Sequence, residues 1–405
     1  MDFHLHGGSP SSTTTNTTSS SDPMHSWWES ISKARSRIHL LSSLLSHPPA
    51  AADSLSSLAD TDRPARSLLL SSAAYASLSA ALSSPSSGSG DDPLCHWLYD
   101  TYLSSDPDLR LVVLSYLPII SAVYLHRIHH RTTENPTSLS GFEAVLLAFY
   151  SAETKSRNGK AITISIADLS QPSLYHSPHT PLKSSKPNSK SSNPSIGVLS
   201  PPLEPQIAVK STKRACIVGV ALDCYYKQIS QMPSWSKLDF CKFAAVWAGD
   251  DCPCTSDFDV NFAENNLLIE NSTDVGDDIR IEANEIDILH ERIENLDIEP
   301  YVESKDARIP LPWELLQPVL RILGHCLLGP VNVDEVKDSA SMAVRRLYAR
   351  ASHDLVPQAI LATKSLIQLD RRAREAAASV SFISAGSNAN TPSKAKKPEM
   401  LLVSK

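Results

Sequence analysis

The sequence predicts a mostly α-helical protein built of stacked helix pairs, with one small β-hairpin. Three observations predict this fold class. Apolar residues recur at helical spacing in several long blocks, and only one short segment alternates as a strand does. The remaining segments are too rich in serine, proline or charge to form a core. With 405 residues, 41% of them hydrophobic, the chain can bury at least one sizeable core.

The first helical blocks are predicted over residues 26–45 and 64–82. The earlier block has apolar residues at helical spacing, and the later one is rich in alanine and leucine. Two Asp-Pro pairs then mark helix starts at Asp92 and Asp106. Each aspartate can cap a helix, and the proline after it takes the first helical position, where its missing N–H costs nothing.

The helix after Asp106 is predicted to carry a continuous apolar face from Leu109 to Tyr124, with a kink at Pro118. The longest uncharged apolar run, 111–125, is fifteen residues. A membrane span needs about 20 residues, so we predict a core helix there. Segment 142–150 is apolar on nearly every side, and we expect it in the middle of the domain.

One segment has the alternation of a β-strand. Isoleucines occupy every second position of 162–166, and Asn158-Gly159 just before it is a type I′ turn signal. We therefore predict a small hairpin that pairs 162–166 with 153–156.

Helices are predicted to resume after a proline-rich linker. Gly329-Pro330 ends one of them, and Asn332 with Glu335 predicts an N-cap pair for the next. The predicted helices are 216–229, 236–247, 313–328, 333–350 and 355–380.

Charge is distributed unevenly along the chain. Residues 250–306 contain eighteen acidic and three basic residues, a local balance of −15 that leaves +8 for the rest of a chain whose net charge is −7. We predict a disordered acidic insertion. Ile286, Leu289, Ile293 and Leu296 have helical spacing within it, which leaves docking on this protein or on a partner open.

These patterns predict a helical core that is interrupted twice. The basic linker can be a solvated spacer or can contact anionic lipid or the acidic insertion, and these alternatives stay open. The predicted segments are a disordered Ser/Thr-rich N-terminus 1–25, a first core segment 26–175, a Pro/Lys-rich linker 176–210, a second core segment 211–249, the acidic insertion 250–307, a third core segment 308–383 and a disordered tail 384–405.

The search for catalytic motifs is negative. Thirteen glycines leave little material for phosphate-binding loops, and no nucleophile elbow, Walker loop, zinc-protease, EF-hand or kinase motif is present in the sequence. We therefore expect a protein that is not an enzyme and has no cofactor and no metal. A hydrolase that uses Asp223 or His325 is an alternative.

Three groups of residues have the chemistry of metal ligands. Cysteines 224, 241, 252 and 254 could supply thiolates to zinc, but Cys-x-Cys alone is a weak zinc pattern, and free thiols are the simpler interpretation. His126, His129 and His130 could face together, or could complement the dipole at a helix C-terminus. The aspartates at 250, 251, 257 and 259 lack the glycine turn of a calcium loop, so we assign them to the acidic insertion.

The order of several motifs resembles the hyccin family. The resemblance starts at Leu-Cys-His-Trp-Leu-Tyr (94–99) and continues through Leu117-Pro118, Tyr124 and Phe-Glu-Ala-Val-Leu-Leu-Ala-Phe-Tyr (142–150). Further matching pieces are at 225–226, 232–234 and 307–310, so the resemblance covers roughly 27–378 with interruptions. It is sharpest in the motif 168–176, where we expect structural roles for Leu169, Ser170, Pro172, Ser173, Tyr175 and His176.

The resemblance implies a function that composition and spacing do not reach. Hyccins are non-catalytic subunits of the plasma-membrane phosphatidylinositol 4-kinase complex of the type III alpha class. The implied partners are a tetratricopeptide-repeat scaffold, the kinase catalytic subunit and a lipid-anchored subunit that recruits the complex. The implied location is the cytosol and the cytoplasmic face of the plasma membrane, with indirect membrane contact and no nucleic acid. The Ser/Thr-rich N-terminus suggests a plant-type member.

Packing against a repeat scaffold would use apolar helix positions. A generic helical adaptor with other clients is the main alternative function. For each residue taken singly, a place in the core is the simpler interpretation. The candidate partner contacts are Leu111, Val112, Tyr116, Tyr124, Phe142, Leu146, Phe149 and Tyr150.

Overall fold

A computed structural model describes residues 23–45, 54–104, 106–129, 138–166, 195–249 and 309–386. Most of these residues are helical, and they include one two-stranded antiparallel sheet, so the predicted fold class is confirmed. The helices are α1 Pro23–Leu44, α2 Pro64–Leu70, α3 Ser72–Ser83, α4 Pro93–Leu103, α5 Pro107–Ser115, α6 Leu117–His129, α7 Ser140–Ser156, α8 Arg214–Lys227, α9 Ser234–Ala248, α10 Trp313–Leu328, α11 Asp334–His353 and α12 Pro357–Gly386; the strands are β1 Ile162–Ile166 and β2 Ser195–Ser200.

Both predicted Asp-Pro helix starts are confirmed. The carboxylate of Asp92 accepts a hydrogen bond from the Leu94 backbone N–H, and that of Asp106 accepts one from the Leu109 N–H. The prolines after them are the first residues of α4 and α5. Local sequence therefore determines where these two helices begin.

The predicted kink near Pro118 is a break between two helices. Chain direction changes by 41° between α5 and α6, and Tyr116 lies at the junction. No single described helix has the length and apolarity to cross a membrane, although the bent α5–α6 pair passes that test by length and composition. Most side chains of this pair are buried in the protein core, as predicted for 111–125.

The predicted hairpin has the right first strand and the wrong partner. Residues 153–156 are the last turn of α7, and β1 pairs instead with β2, antiparallel, from Ile162 opposite Ser200 to Ile166 opposite Ser195. Asn158 and Gly159 both have positive φ, but they end the helix, since the Gly159 N–H donates to the Thr154 carbonyl. The second strand lies inside the segment predicted as linker.

The predicted N-cap at Asn332 is wrong. Val333 occupies the cap position of α11, without a side-chain hydrogen bond. The Asn332 amide instead donates to the carbonyls of His325 and Cys326 at the end of α10 and accepts from Lys237 of α9. The Asn332 side chain can serve only some of the groups near it. It pairs with the buried Lys237 ammonium and with the two carbonyls at the end of α10, because leaving these groups without a hydrogen bond would cost more free energy than leaving α11 without a side-chain cap.

The three predicted core segments form one hydrophobic core. Its buried residues run from Ile38 of α1 to Ala359 of α12, and the fully buried aromatic residues Phe142 and Phe149 confirm that α7 is central. Helix α8 packs against α7 on one side and α10 on another. At Gly219 the α8 backbone approaches α10 so closely that a Cβ atom would lie 2.3 Å from the Glu314 carbonyl oxygen.

The remaining predicted segments lie mostly outside the described residues. These are the N-terminus before residue 23, most of the linker, the acidic insertion and the chain after 386. Their predicted disorder stays a prediction.

Candidate functional site

The eight predicted partner contacts are all buried in the core of this chain. None of these side chains exposes more than 6% of its surface, so they hold the helices of this protein to one another. Contact with a partner stays a prediction for them. The residues are Leu111, Val112, Tyr116, Tyr124, Phe142, Leu146, Phe149 and Tyr150.

The three tyrosines in this set make structural polar or stacking contacts. The Tyr124 hydroxyl donates to Glu143 at 3.0 Å and accepts from Arg214 at 3.2 Å, which joins α6, α7 and α8. Burial raises the pKa of Tyr124 above its ordinary value. Tyr150 donates to the Glu204 carbonyl at 2.8 Å, and Tyr116 stacks on Tyr75 with ring centroids 5.3 Å apart.

An ionic cluster lies where α7 meets β2 and α8. Glu153 pairs with Arg157 and Lys227, and Arg157 also donates to the Ser200 hydroxyl at 2.8 Å. Burial by itself would raise the pKa of Glu153, but the hydrogen bonds from Lys227 and Arg157 outweigh it and lower that pKa. This cluster fixes the base of the two-stranded sheet to the helical body.

The predicted family motif 169–176 lies outside the described residues, directly after β1. The motif residues are Leu169, Ser170, Pro172, Ser173, Tyr175 and His176, and their structural roles stay a prediction. What the structure does describe is the strand that leads into the motif and its attachment to α7.

The hydrolase candidates are in separate structural settings. Asp223 pairs with Arg321 at 2.8 Å, and Arg321 lies over the Tyr226 ring with 4.2 Å to its centroid. Burial raises the pKa of Asp223 despite this pairing, and burial lowers the pKa of His325. An open cleft of about 420 Å³ lies between α1 and α4, but neither residue lines it. The arrangement is that of an ion pair between helices.

Some of the metal-ligand candidates lie within the described residues. Cys224 and Cys241 are buried free thiols, and Cys252 and Cys254 lie outside the described residues. The described stretches of the chain contain no group of three or more His, Cys, Asp or Glu side chains placed to hold a metal ion. His126 and His129 lie in the last turn of α6, and the third histidine and the aspartates from 250 onward are not described.

One site was not predicted from the sequence and joins segments far apart in the chain. Arg350 of α11 donates to the Trp247 and Ala248 carbonyls, both at 3.5 Å, to the Ile309 carbonyl at 3.2 Å and to Asp354. The guanidinium therefore connects both ends of the acidic insertion and the end of α11. No local pattern marks it, because its partners are mostly backbone carbonyls.

Exposed apolar side chains lie within seven residues in sequence of the groups that Arg350 joins. Leu355 follows Asp354, adopts φ of +53° and is 79% exposed, and Leu361 in the first turns of α12 is 67% exposed. Val246 and Trp313 are also exposed, close in sequence to Trp247 and Ile309. We call these four residues the Arg350 end. An exposed leucine in the left-handed region leaves apolar surface in water and strains the backbone. Backbone strain and exposed apolar surface are both typical of functional sites.

Fold and site together define a mostly helical protein with one extended hydrophobic core, partly buried ion pairs between its helices and exposed leucines beyond the end of α11. A comparison with family models adds the family. The hyccin model matches residues 59–393, which includes every helix from α2 to α12. The chain belongs to the hyccin family.

Proposed function

We propose that this protein is a non-catalytic subunit of a plasma-membrane phosphatidylinositol 4-kinase complex of the type III alpha class. The observation that carries the proposal is the hyccin match over residues 59–393, which spans nearly the whole described core. In this function the chain stabilises the kinase and its tetratricopeptide-repeat scaffold and so supports production of phosphatidylinositol 4-phosphate.

The polar chemistry of the core supports a role without catalysis. Glu153, Asp223 and Lys237 are buried or half-buried, and each has a partner within this chain that explains its position. Polar side chains that are already paired inside the chain cannot contact a substrate unless the helices around them separate.

The Arg350 end is the surface that we propose for scaffold contact. A repeat scaffold offers a long groove, and burying Leu355 and Leu361 there would remove apolar surface from water on both chains. Binding that favours the folded form of each partner stabilises both by linkage. The strain at Leu355 supports the choice, since a glycine would adopt this backbone at no steric cost.

The test is co-expression of the chain with the tetratricopeptide-repeat scaffold and the kinase, followed by size exclusion and mass determination. We expect a defined complex with the wild-type chain and loss of it with Leu355→Asp plus Leu361→Asp. Ile196→Asp is the matched control, because Ile196 is 69% exposed and far from this end in sequence. A well-behaved chain that ignores the scaffold would contradict the proposal and favour a generic helical adaptor.

The proposed role in the kinase complex also implies where the protein is located in the cell. We place the chain in the cytosol and, within the complex, peripherally at the cytoplasmic face of the plasma membrane, where a lipid-anchored subunit recruits it. Imaging of a fluorescent fusion with and without that subunit tests this: recruitment that depends on the subunit is expected, and a location that does not change would contradict it.

A further inference from the structure

The two-stranded sheet projects from the helical body with its far end exposed. Ser200, at the base, is buried and bonded to Arg157, whereas Ile196 and Val198 nearer the far end are 69% and 64% exposed. We call β1 and β2 together the β-ribbon. A ribbon of two strands is marginally stable alone in water, so something besides its own pairing should cover it in its working state.

Apolar side chains lie on both faces of the β-ribbon. Directly opposed residues of an antiparallel pair share a face, and the register places Ile196 opposite Ser165 and Val198 opposite Thr163. Ile164 lies opposite Gly197, so it lies on the other face, where it is also exposed. Neither strand contains a charged residue.

Four lysines lie in the segments that lead into and out of the base of the β-ribbon. Lys155 and Lys160 flank the turn before β1, and the Leu203 N–H after β2 donates to the Gly159 carbonyl at 2.9 Å. Lys210 and Lys213 lie just before α8, and Lys213 is 4.0 Å from Glu204. All four lysines are exposed, and within the described residues the other three form no ion pair. We call these four lysines the basic collar.

Positive charge predominates in this region. From residue 155 to 214 the sequence contains nine Lys or Arg against Asp168 and Glu204, and the connection between the strands contributes three lysines to that count. An anionic surface is therefore the complementary partner for the basic collar.

We propose that the β-ribbon and basic collar dock directly on an anionic lipid surface. A protein groove would cover one face of the ribbon, whereas lipid headgroups and the upper acyl chains can surround both faces. Within the described residues each strand pairs only with the other, so the outer edges have no strand partner there, and the ribbon lies at headgroup depth and does not enter the hydrocarbon core. The collar then contacts the negative charge of the leaflet.

This inference goes beyond the proposed function, in which membrane contact is indirect. It needs neither kinase nor scaffold, so it can fail while the kinase proposal holds, and the reverse is also true. It adds a second contact that would orient a recruited complex on the leaflet.

Vesicle sedimentation of the 405-residue chain tests the proposal, with phosphatidylcholine vesicles alone and with added phosphatidylserine. We expect binding only to the anionic vesicles, weakened by salt because the charges are exposed. Lys160→Gln should weaken partitioning about fivefold, the effect of about 1 kcal/mol per basic residue near an anionic surface. The double variant Ile196→Asp, Val198→Asp should weaken it at least about tenfold, because two aliphatic contacts are lost and two negative charges are added.

Leu361→Asp is the matched control, since Leu361 is as exposed as Ile196 but belongs to the Arg350 end. It should bind vesicles as the wild type does. Hydrogen exchange should show protection of the β1 and β2 amides on addition of anionic vesicles, which keeps the test valid if the double variant folds poorly. Binding unchanged in Lys160→Gln and in the double variant would overturn the proposal. So would loss of the scaffold complex, with unchanged vesicle binding, in the double variant, because the ribbon would then be a protein-binding edge.

Discussion

Leu355 adopts a left-handed backbone conformation, which is unfavourable for leucine. It ends α11 in a Schellman motif, in which the Val356 N–H donates to the Ala351 carbonyl at 3.0 Å and the Leu355 N–H to the Ser352 carbonyl at 3.4 Å. Glycine is usual at this position because a Cβ atom in the left-handed region costs about 1–2 kcal/mol. Retention of an exposed leucine here fits a contact outside the chain.

Replacing that leucine tests the strain directly. Leu355→Gly should raise the free energy of unfolding by about 1 kcal/mol, since relief of the left-handed conformation exceeds the added flexibility of the unfolded chain. Urea denaturation measures it. Leu355→Asn should raise the free energy of unfolding by less, and Leu355→Val should lower it. If Leu355→Gly lowers it instead, the leucine side chain stabilises this protein through contacts within the chain.

Asp106 combines a helix cap with a buried contact. Its carboxylate accepts hydrogen bonds from the Leu109 N–H and the Ser30 hydroxyl, and the residue is buried. Asp106→Ala should lower the free energy of unfolding by about 1–2 kcal/mol. The neighbouring Asp108→Ala removes a surface ion pair with Arg63 and a carboxylate in the first turn of α5, and should cost about 0–1 kcal/mol. Equal effects in thermal melts of the two variants would contradict the capping role.

Glu153 should make stability depend on pH on the acid side. Its pKa in the folded chain lies below the ordinary 4.5, so the ionised form is favoured by folding. That contribution is present above about pH 4.5 and is lost as pH falls through the folded pKa. Glu153→Gln should be about 2 kcal/mol less stable at neutral pH, because Arg157 loses a buried partner, and the gap should narrow on acidification.

Urea titrations of both proteins at several pH values measure this gap. Asp223 is present in both chains, and its pKa is raised chiefly by burial and least by the charge of Glu153, so most of its contribution cancels from the difference. A gap that stays constant down to acid pH would show that the Glu153 carboxylate does not titrate as its contacts require.

At the scale of elements, neighbouring residues in the sequence determine where several helices start and end, but they do not determine which strands pair. The Asp-Pro starts of α4 and α5 and the end of α10 before Gly329 were predicted because a few adjacent residues decide them. The alternation in 162–166 predicted a strand but could not identify its partner, because pairing depends on which chain segment the fold brings alongside. Asn332 shows the same limit for a side chain, since its partners belong to α9 and α10.

The Arg350 side chain joins α11 to the end of α9 and to Ile309, so its replacement should destabilise the fold. Arg350→Ala should lower the free energy of unfolding by about 2 kcal/mol, because the carbonyls that end α9 and the Ile309 carbonyl lose a charged donor. Arg350→Lys should rescue little, since a single ammonium cannot match the fork of donors. Chemical denaturation of the three proteins measures it, and full rescue by lysine would contradict the multidentate role.

At the scale of the whole molecule, the acidic insertion is attached at two points that Arg350 brings together. Ala248 and Ile309 both contact its guanidinium, so a short linker can replace 250–308 without moving a helix. The deletion should keep the fold and raise the free energy of unfolding by about 1–2 kcal/mol, the closure entropy of the longer loop. Removal of 357–386, which packs on α10 and α11, is the destabilising control. Circular dichroism and urea denaturation measure both, and unfolding of the first deletion would show that the insertion belongs to the core.

The sequence alone determined the helical class, most helix boundaries, the buried character of α5 to α7 and the hyccin resemblance, because each depends on spacing or on neighbours in the chain. Tertiary structure alone decided the strand partner, the Arg350 junction, the β-ribbon with its basic collar and the exposure of Leu355. These features join residues that are tens of positions apart, and only packing sets which of them meet. Apolar helix positions illustrate the difference. Helical spacing predicted that these positions face an apolar surface, burial places all eight in the core of this chain, and contact with a partner stays a prediction for them.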